Sequence, residues 1–229
     1  MQHLILLHGA IGAKSQLESL ADELSNEFNI HLINFSGHGG KPMTEAKFSI
    51  ALFADDVLDY MEKNRIERAD IFGYSMGGYV AVYIAKYHPE KVNHIITLAT
   101  KFHWDEVTAA KEAKMLNADA IQQKVPVFAQ QLSERHFPTD WKKLLARTTE
   151  LLIALGNNNT LQPGDYLTVP APCLLLLGDR DKMVSLDETL TVYKQLPNAQ
   201  LGILPGTPHQ IELVNLRFLV LFIREFLNE

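Results

Sequence analysis

Short aliphatic runs alternate along this chain with longer segments of helical periodicity, and this alternation constrains the fold more than any other feature of the sequence. Continuous apolar runs are typical of strands that are covered on both faces, and their alternation with helices predicts a parallel sheet. We therefore predict an α/β fold with about six mostly parallel strands and helices on both faces. The predicted strands cover residues 4–7, 30–35, 69–73, 95–98, 173–177 and 199–204.

Helix boundaries are indicated by capping residues and by proline. Ser15 with Glu18, and Ser185 with Glu188, have the spacing of capping boxes, in which the two side chains accept backbone N–H groups at the start of a helix. Pro89 is expected to end the helix that precedes it. The main predicted helices cover residues 17–28, 49–63, 76–88 and 211–227.

The strand pattern is interrupted for about 70 residues after Thr100. This stretch has helical composition and is broken by Pro126 and Pro138, which predicts several short helices. We interpret residues 101–168 as a helical lid inserted into a core that is formed by residues 1–100 and 169–229.

Charge and hydropathy exclude several classes of protein. The 21 Lys and Arg residues against 27 Asp and Glu residues give a net charge of −6 without a basic cluster, which argues against nucleic acid as a partner. The longest apolar run, residues 218–223, is far shorter than the roughly 20 residues that cross a bilayer. The amino terminus lacks the pattern of a signal peptide. We therefore expect a cytoplasmic protein without membrane association.

The segment Gly73-Tyr74-Ser75-Met76-Gly77-Gly78 lies where a predicted strand meets a predicted helix. A strand that turns directly into a helix must bend sharply at the serine, which leaves room beside it only for glycine and exposes the hydroxyl above a helix amino terminus. No lysine follows the glycine pair, so the segment is not a phosphate-binding loop of the Walker type. The histidines lack the spacing of metal ligands, and neither a metal nor a cofactor is implied.

Five motifs, each placed after a predicted strand, together resemble the serine-nucleophile α/β-hydrolase fold family along nearly the whole chain. The chain starts at what would be the third strand of common members, so the resemblance implies a small six-stranded sheet with the order 4-3-5-6-7-8 in family numbering. The motifs are His8-Gly9, Gly37-His38-Gly39, the segment around Ser75, Gly178-Asp179-Arg180-Asp181 and Gly206-Thr207-Pro208-His209.

This resemblance assigns roles to specific residues. Ser75 is the expected nucleophile, Asp181 the acid and His209 the base, in the chain order of the family. The backbone N–H groups of Ala10 and Met76 are the expected oxyanion hole. The family spacing from Gly to Asp to Val selects Asp181 over Asp179, which is expected to tie down its turn, and His8 is expected to brace its loop through hydrogen bonds.

The implied function is hydrolysis of a carboxylic ester or thioester of a small molecule through an acyl-enzyme on Ser75. Two alternatives remain open at this point: a lyase or synthase of the menaquinone-pathway type that uses the same triad, and a slow-turnover ligand receptor on the same fold. Helix packing competes with a pocket role for the lid aromatics, including Trp141. The candidate pocket residues are Ile11, Tyr74, Trp104, Met115, Phe128, Phe137 and Met183.

Overall fold

The computed structural model describes residues 1–228 and contains a six-stranded sheet whose paired strands are all parallel. The spatial order is β2-β1-β3-β4-β5-β6, so that β1 lies inside the sheet and β2 and β6 form its edges. This order is the one implied by the family resemblance. The strands are β1 (Gln2–Leu7), β2 (Phe28–Ile33), β3 (Ala69–Tyr74), β4 (Val92–Leu98), β5 (Cys173–Gly178) and β6 (Ala199–Leu204).

Helices occupy most of the chain between the strands. No helix among residues 1–228 is long and apolar enough to cross a bilayer. The α-helices are α1 (Glu18–Leu24), α2 (Ile50–Lys63), α3 (Met76–Tyr87), α4 (Glu106–Met115), α5 (Ala118–Lys124), α6 (Pro126–His136), α7 (Trp141–Asn157), α8 (Pro163–Tyr166), α9 (Leu186–Tyr193) and α10 (Leu216–Leu227).

The sheet separates two apolar clusters because successive side chains of a strand point to opposite faces. In β1, Leu4 and Leu6 pack with residues of α1 and α10, whereas Ile5 and Leu7 pack with residues of α2 and α3. All four leucine and isoleucine side chains are fully buried. The predicted α/β fold with helices on both faces of the sheet is therefore confirmed.

Two predicted helix starts were wrong. Residues Lys14–Leu17 form a 3-10 turn, and it is the Gln16 side chain, not Ser15, that accepts the free backbone N–H of Ala13, at 3.0 Å. Helix α1 consequently begins at Glu18 and ends at Leu24, so Phe28 starts β2 instead of extending the helix. At the other end of the chain, Ile211–Leu213 form a second 3-10 turn, and α10 begins only at Leu216.

Helices α4 to α8 lie between β4 and β5, inside the segment interpreted as a lid, and their connection from β4 is held by Glu188. Ser185 accepts the N–H of Glu188 as the capping pattern predicts, but the Glu188 carboxylate points away from it. One carboxylate oxygen accepts the N–H groups of Phe102 and His103 at 2.8 and 2.9 Å, and the other accepts from Lys101 Nζ. The predicted capping box is therefore only half formed.

The connection back to the core is held by the Tyr79 hydroxyl of α3. This hydroxyl donates to Asn159 Oδ1 and accepts the N–H of Leu161 at 2.7 Å. Asn159 Nδ2 in turn donates to the Phe102 carbonyl at 2.9 Å, which joins the two connecting segments. Both ends of the inserted helices are thus anchored to the core by hydrogen bonds.

We expect Tyr79→Phe to lower the free energy of unfolding by about 1–3 kcal/mol, because it leaves the buried Leu161 N–H without an acceptor. Urea unfolding measures this difference. Tyr83→Phe is the matched control on the same helix, since its hydroxyl makes no hydrogen bond among residues 1–228, and it should change stability by less than about 0.5 kcal/mol. Equal effects of the two substitutions would contradict the anchoring role of Tyr79.

Candidate active site

Ser75 connects β3 to α3 in a left-handed backbone conformation, with φ 52° and ψ −116°. Such a conformation costs a non-glycine residue about 1–3 kcal/mol, so the surroundings must hold it in place. The Ser75 N–H donates to the Leu98 carbonyl at 2.8 Å, and Thr100 Oγ1 donates to the Ser75 carbonyl at 3.1 Å. The end of β4 therefore fixes the strained turn.

The glycines around Ser75 are required by close backbone approach. A Cβ atom on Gly73 would lie 2.3 Å from the nitrogen of Gly78, and one on Gly77 would lie 2.5 Å from the Leu7 carbonyl oxygen. A Cβ atom on Gly78 would lie 2.0 Å from Thr100 Oγ1. The predicted sharp turn with small neighbours is therefore confirmed, and it presses α3 against the ends of β1 and β4.

The loop after β1 touches this turn. A Cβ atom on Gly9 would lie 3.2 Å from Ser75 Cβ, and Ala10 and Met76 line the same cavity as Ser75. Within residues 1–228, the backbone N–H groups of Ala10 and Met76 donate to no other residue. Two free N–H donors thus flank the serine, as an oxyanion hole requires.

His8 braces this loop, in agreement with the sequence-based expectation. Its Nδ1 donates to the Gly9 carbonyl at 2.7 Å, and its Nε2 accepts the N–H of Phe35 at 3.3 Å. Burial lowers the pKa of the imidazole to about 3, so the side chain is neutral. A neutral ring is also what this hydrogen-bond pattern needs, because one nitrogen donates and the other accepts.

Asp181 lies in the loop after β5 and His209 in the loop after β6. The two side chains are paired, with 2.8 Å between Asp181 Oδ2 and His209 Nδ1. The Asp181 side chain is fully buried, and its other oxygen accepts the N–H groups of Met183 and Val184. Burial raises the pKa of this carboxyl, but the hydrogen bonds from His209 and from the two N–H groups outweigh it and leave the pKa below its ordinary value. The buried carboxyl is consequently ionised at neutral pH.

Asp179 lies only two residues away but points elsewhere. Its carboxylate accepts the N–H of Thr207 at 3.1 Å, and hydrogen bonds from the backbone of Gly206 and Thr207 lower its pKa. It joins the loop after β5 to the loop that carries His209. The structure therefore brings Asp181, and not Asp179, to the histidine.

His209 faces the serine across the cavity. Tyr74, which precedes Ser75, donates its hydroxyl proton to the His209 carbonyl at 3.0 Å and so holds the histidine loop beside the turn. Ser75 and His209 line one cavity, although no hydrogen bond within residues 1–228 joins their side chains. Catalytic hydrogen bonds of this kind are often long in unliganded enzymes and shorten when substrate binds.

The cavity has a volume of about 950 Å³ and lies between the carboxyl ends of the strands and the inserted helices. Of the candidate pocket residues, only Phe137 is absent from its walls. That side chain is 78% exposed because it follows the last turn of α6, where its carbonyl faces Gly40. Trp141 packs against the apolar cluster beneath α5 and α6 instead of lining the cavity. The remaining candidates contribute to the walls: Ile11, Tyr74, Trp104, Met115, Phe128 and Met183.

Charged residues that the sequence did not single out also line the cavity. Lys101 Nζ donates to the Met183 carbonyl at 2.9 Å and to Glu188, and Arg135 lies 3.6 Å from Glu212. The acidic residues of the cavity walls are Glu112, Glu134 and Glu212, of which Glu112 is 5% exposed. Among the described residues, no group of three or more His, Cys, Asp or Glu side chains is placed to hold a metal ion.

The family model for the alpha/beta hydrolase fold matches residues 2–140. A Haemophilus influenzae protein provisionally named an esterase/lipase is 24% identical over 99% of this chain and 83% of its own length. The pimeloyl-[acyl-carrier protein] methyl ester esterase of Chromobacterium violaceum is 27% identical over 89% of this chain and 83% of its length. A Bacillus subtilis protein provisionally named 2-succinyl-6-hydroxy-2,4-cyclohexadiene-1-carboxylate synthase is 24% identical over 98% of this chain and 90% of its own length.

Solved structures share the fold at lower identity. The enol-lactonase of Burkholderia xenovorans superposes with a TM-score of 0.80 at 20% identity, covering 100% of this chain and 92% of that one. A thermophilic esterase of Thermogutta terrifontis superposes with a TM-score of 0.81 at 17% identity, covering 100% of this chain and 90% of that one. Both superpositions cover the whole chain, so the two structures share the fold of the sheet and of the inserted helices.

Three buried histidines connect the inserted helices to the loops around the cavity. The ring centroids of His8 and His38 are 5.1 Å apart, and those of His38 and His136 are 5.9 Å apart. His136 of α6 donates to the Ile11 carbonyl and accepts the N–H of Gly39, at 3.0 and 3.1 Å. Burial lowers the pKa of His136 to about 4 and that of His38 well below its ordinary value.

We expect the stability of the protein to fall as the pH falls from 7 to 5. In the unfolded chain a histidine binds a proton near pH 6.5, whereas the buried His8 and His136 bind one only near their pKa values of about 3 and 4. The unfolded state therefore holds more protons in this range, and each histidine lowers the free energy of unfolding by up to about 1.4 kcal/mol per pH unit. Urea unfolding at a series of pH values measures the slope.

His136→Gln should give a shallower slope, since glutamine keeps a hydrogen-bonding side chain at this position but does not titrate. His103→Gln, at an exposed position, is the control and should leave the slope unchanged. If His136→Gln had the same slope as the wild type, the role of this histidine in acid destabilisation would be refuted.

Proposed function

The chain belongs to the alpha/beta hydrolase fold family, and from this premise we propose that it hydrolyses carboxylic esters or thioesters of small molecules through an acyl-enzyme on Ser75. One observation carries the proposal: a serine in a strained turn shares a cavity with a histidine that is 2.8 Å from a buried, ionised aspartate. Relatives that carry esterase names support the same class of reaction.

Each residue of the triad has a defined task in this reaction. Ser75 Oγ attacks the carbonyl carbon of the ester, and His209 Nε2 takes the hydroxyl proton and later gives it to the leaving alcohol or thiol. Asp181 accepts the Nδ1–H of His209, which fixes the tautomer and stabilises the imidazolium. Water, activated by the same histidine, then cleaves the acyl-serine and releases the acid.

The free N–H groups of Ala10 and Met76 hold the oxyanion of the tetrahedral intermediate. Both belong to backbone that is fixed by hydrogen bonds and close packing around His8, Gly9 and Gly77. Preorganised donors of this kind cost no rearrangement when negative charge develops, and removal of one commonly slows the reaction by about 10²- to 10³-fold. The strained backbone at Ser75 places the serine hydroxyl beside these N–H groups.

Residues 101–168 act as a lid over the reaction. Trp104, Met115 and Phe128 of this segment line the cavity opposite Ser75 and His209, so that a bound ester is enclosed between the lid and the core. The largely apolar walls favour the acyl chain of an ester and exclude bulk water from the oxyanion.

The synthase alternative is less well supported by the charges in the cavity. A substrate that carries carboxylates needs cationic partners, and the Lys and Arg side chains in the cavity walls, Lys101 and Arg135, are already engaged with Glu188 and Glu212. A slow-turnover receptor would not require the aspartate–histidine pair. Ester hydrolysis uses the serine, the histidine, the aspartate and both free N–H groups.

We expect Ser75→Ala and His209→Ala each to reduce kcat for 4-nitrophenyl esters by at least about 10⁴-fold, and the double variant to lose no more than either single one, because triad residues act as a unit. Esters with two to twelve acyl carbons define the preferred chain length. A fluorophosphonate probe should label the wild type at Ser75 and leave Ser75→Ala unlabelled. Full activity in Ser75→Ala would refute the mechanism.

Substitutions at two neighbouring aspartates test separately which of them is the acid of the triad. Asp181→Asn should lower kcat by about 10²- to 10⁴-fold, because the amide no longer fixes the tautomer of His209. Asp179→Asn, which changes only the contacts to the backbone of Gly206 and Thr207, should keep most of the activity. The reverse result, with activity lost in Asp179→Asn and kept in Asp181→Asn, would make Asp179 the acid.

A further inference from the structure

Glu112 of α4 lines the cavity with a carboxylate that has no partner within residues 1–228. It is 5% exposed, and no hydrogen bond or ion pair to its side chain exists within residues 1–228. The Asp70 and Asp181 side chains are also fully buried, but each is paired with a histidine, Asp70 with His94 and Asp181 with His209, at 2.8 Å. Glu112 therefore stands apart from these two buried acidic side chains.

The position of Glu112 follows from the packing of α4 on α7. A Cβ atom on Gly156 would lie 2.4 Å from Ala109 Cβ, so this face of α4 is pressed against the carboxyl-terminal half of α7. Glu112 is three residues after Ala109 and lies on the same helical face. Leu152 and Leu155 of α7 line the cavity beside it.

No side chain of the cavity is available to neutralise this carboxylate. Lys101 is held by Glu188 and by the Met183 carbonyl, and Arg135 by Glu212 and the Ile11 carbonyl. An apolar residue would fill this helix–helix contact without placing a charged group beside an apolar cavity. The carboxylate is placed where a ligand in the cavity can supply the missing donor.

We propose that Glu112 is a specificity residue that binds a positively charged ammonium group in the part of the substrate remote from the scissile bond. This inference rests on the proposed ester hydrolysis and names the substrate class: esters that carry a basic nitrogen. The ammonium donates to the carboxylate, and both charges are neutralised within the cavity.

The remaining cavity walls suit a cation better than a neutral hydroxyl. Trp104, Tyr79 and Phe128 line the same space as Glu112, and aromatic faces attract cations electrostatically. A hydroxyl would satisfy one hydrogen bond but would leave the charge of Glu112 uncompensated. The combination of one buried carboxylate with several aromatic rings therefore selects the ammonium.

The test uses two 4-nitrophenyl esters of equal chain length, one ending in a methyl group and one in an ammonium group. In Glu112→Gln, the ratio of kcat/KM for the ammonium ester to that for the methyl ester should fall by about 10- to 100-fold relative to the wild type, mainly through KM. Glu134→Gln removes an exposed carboxylate at the rim of the same cavity and should leave the ratio unchanged. A fall smaller than about tenfold, or an equal fall in Glu134→Gln, overturns the assignment.

A binding measurement separates this inference from the proposed function. Calorimetric titration with hexylammonium and with hexan-1-ol requires no catalysis, and the wild type should bind hexylammonium at least about tenfold more tightly. Equal affinities in the wild type overturn the role of Glu112, whatever the folding of its variants. If the wild type cleaves no ester but prefers hexylammonium in a manner that Glu112→Gln abolishes, the hydrolase proposal fails while the ammonium site stands.

Discussion

The contact between α3 and the ends of β1 and β4 is the constraint on which the whole site depends. Gly77 approaches the Leu7 carbonyl and Gly78 approaches Thr100 so closely that neither position admits a side chain. This contact holds the left-handed turn at Ser75 against the ends of β1 and β4, where Ala10, Met76 and His209 line the same cavity as the serine. Because all strands are parallel, their carboxyl ends meet at one edge of the sheet and the cavity opens there.

The buried titratable groups around the cavity keep or lose their charge for two different reasons. Asp181 keeps its charge because His209 and two backbone N–H groups surround it, whereas His8 and His136 lose theirs because their surroundings are apolar and offer a neutral ring suitable partners. The first arrangement supplies a fixed negative charge to the histidine opposite the serine. The second holds α6 to the loop after β1 through neutral histidine side chains. Glu112 follows neither pattern, which is why it points to a ligand.

Local patterns in the sequence were sufficient wherever short-range physics decides the outcome. The apolar runs predicted all six strands, with β6 exact and β2 placed two residues too late in the chain. The glycines around Ser75 predicted the turn, because only small residues allow a strand to enter a helix so abruptly. Helix starts were less predictable. Ser15 has the spacing of a cap, yet the helical segment starts two residues earlier as a 3-10 turn with Ala13 at its N-cap, and Gln16 accepts the backbone N–H of Ala13.

The sequence by itself determined the fold class, the strained serine and the residues that follow the strands, since each of these depends on periodicity or on a steric limit within a few residues. Only the tertiary structure decided which side chains of the inserted helices reach the cavity. Phe128 and Phe137 are both aromatic residues of the same segment, but the packing of α6 turns the first inward and leaves the second in solvent. Glu112 occupies the buried face of α4 for the same reason: which face of a helix is buried depends on the neighbours against which it packs.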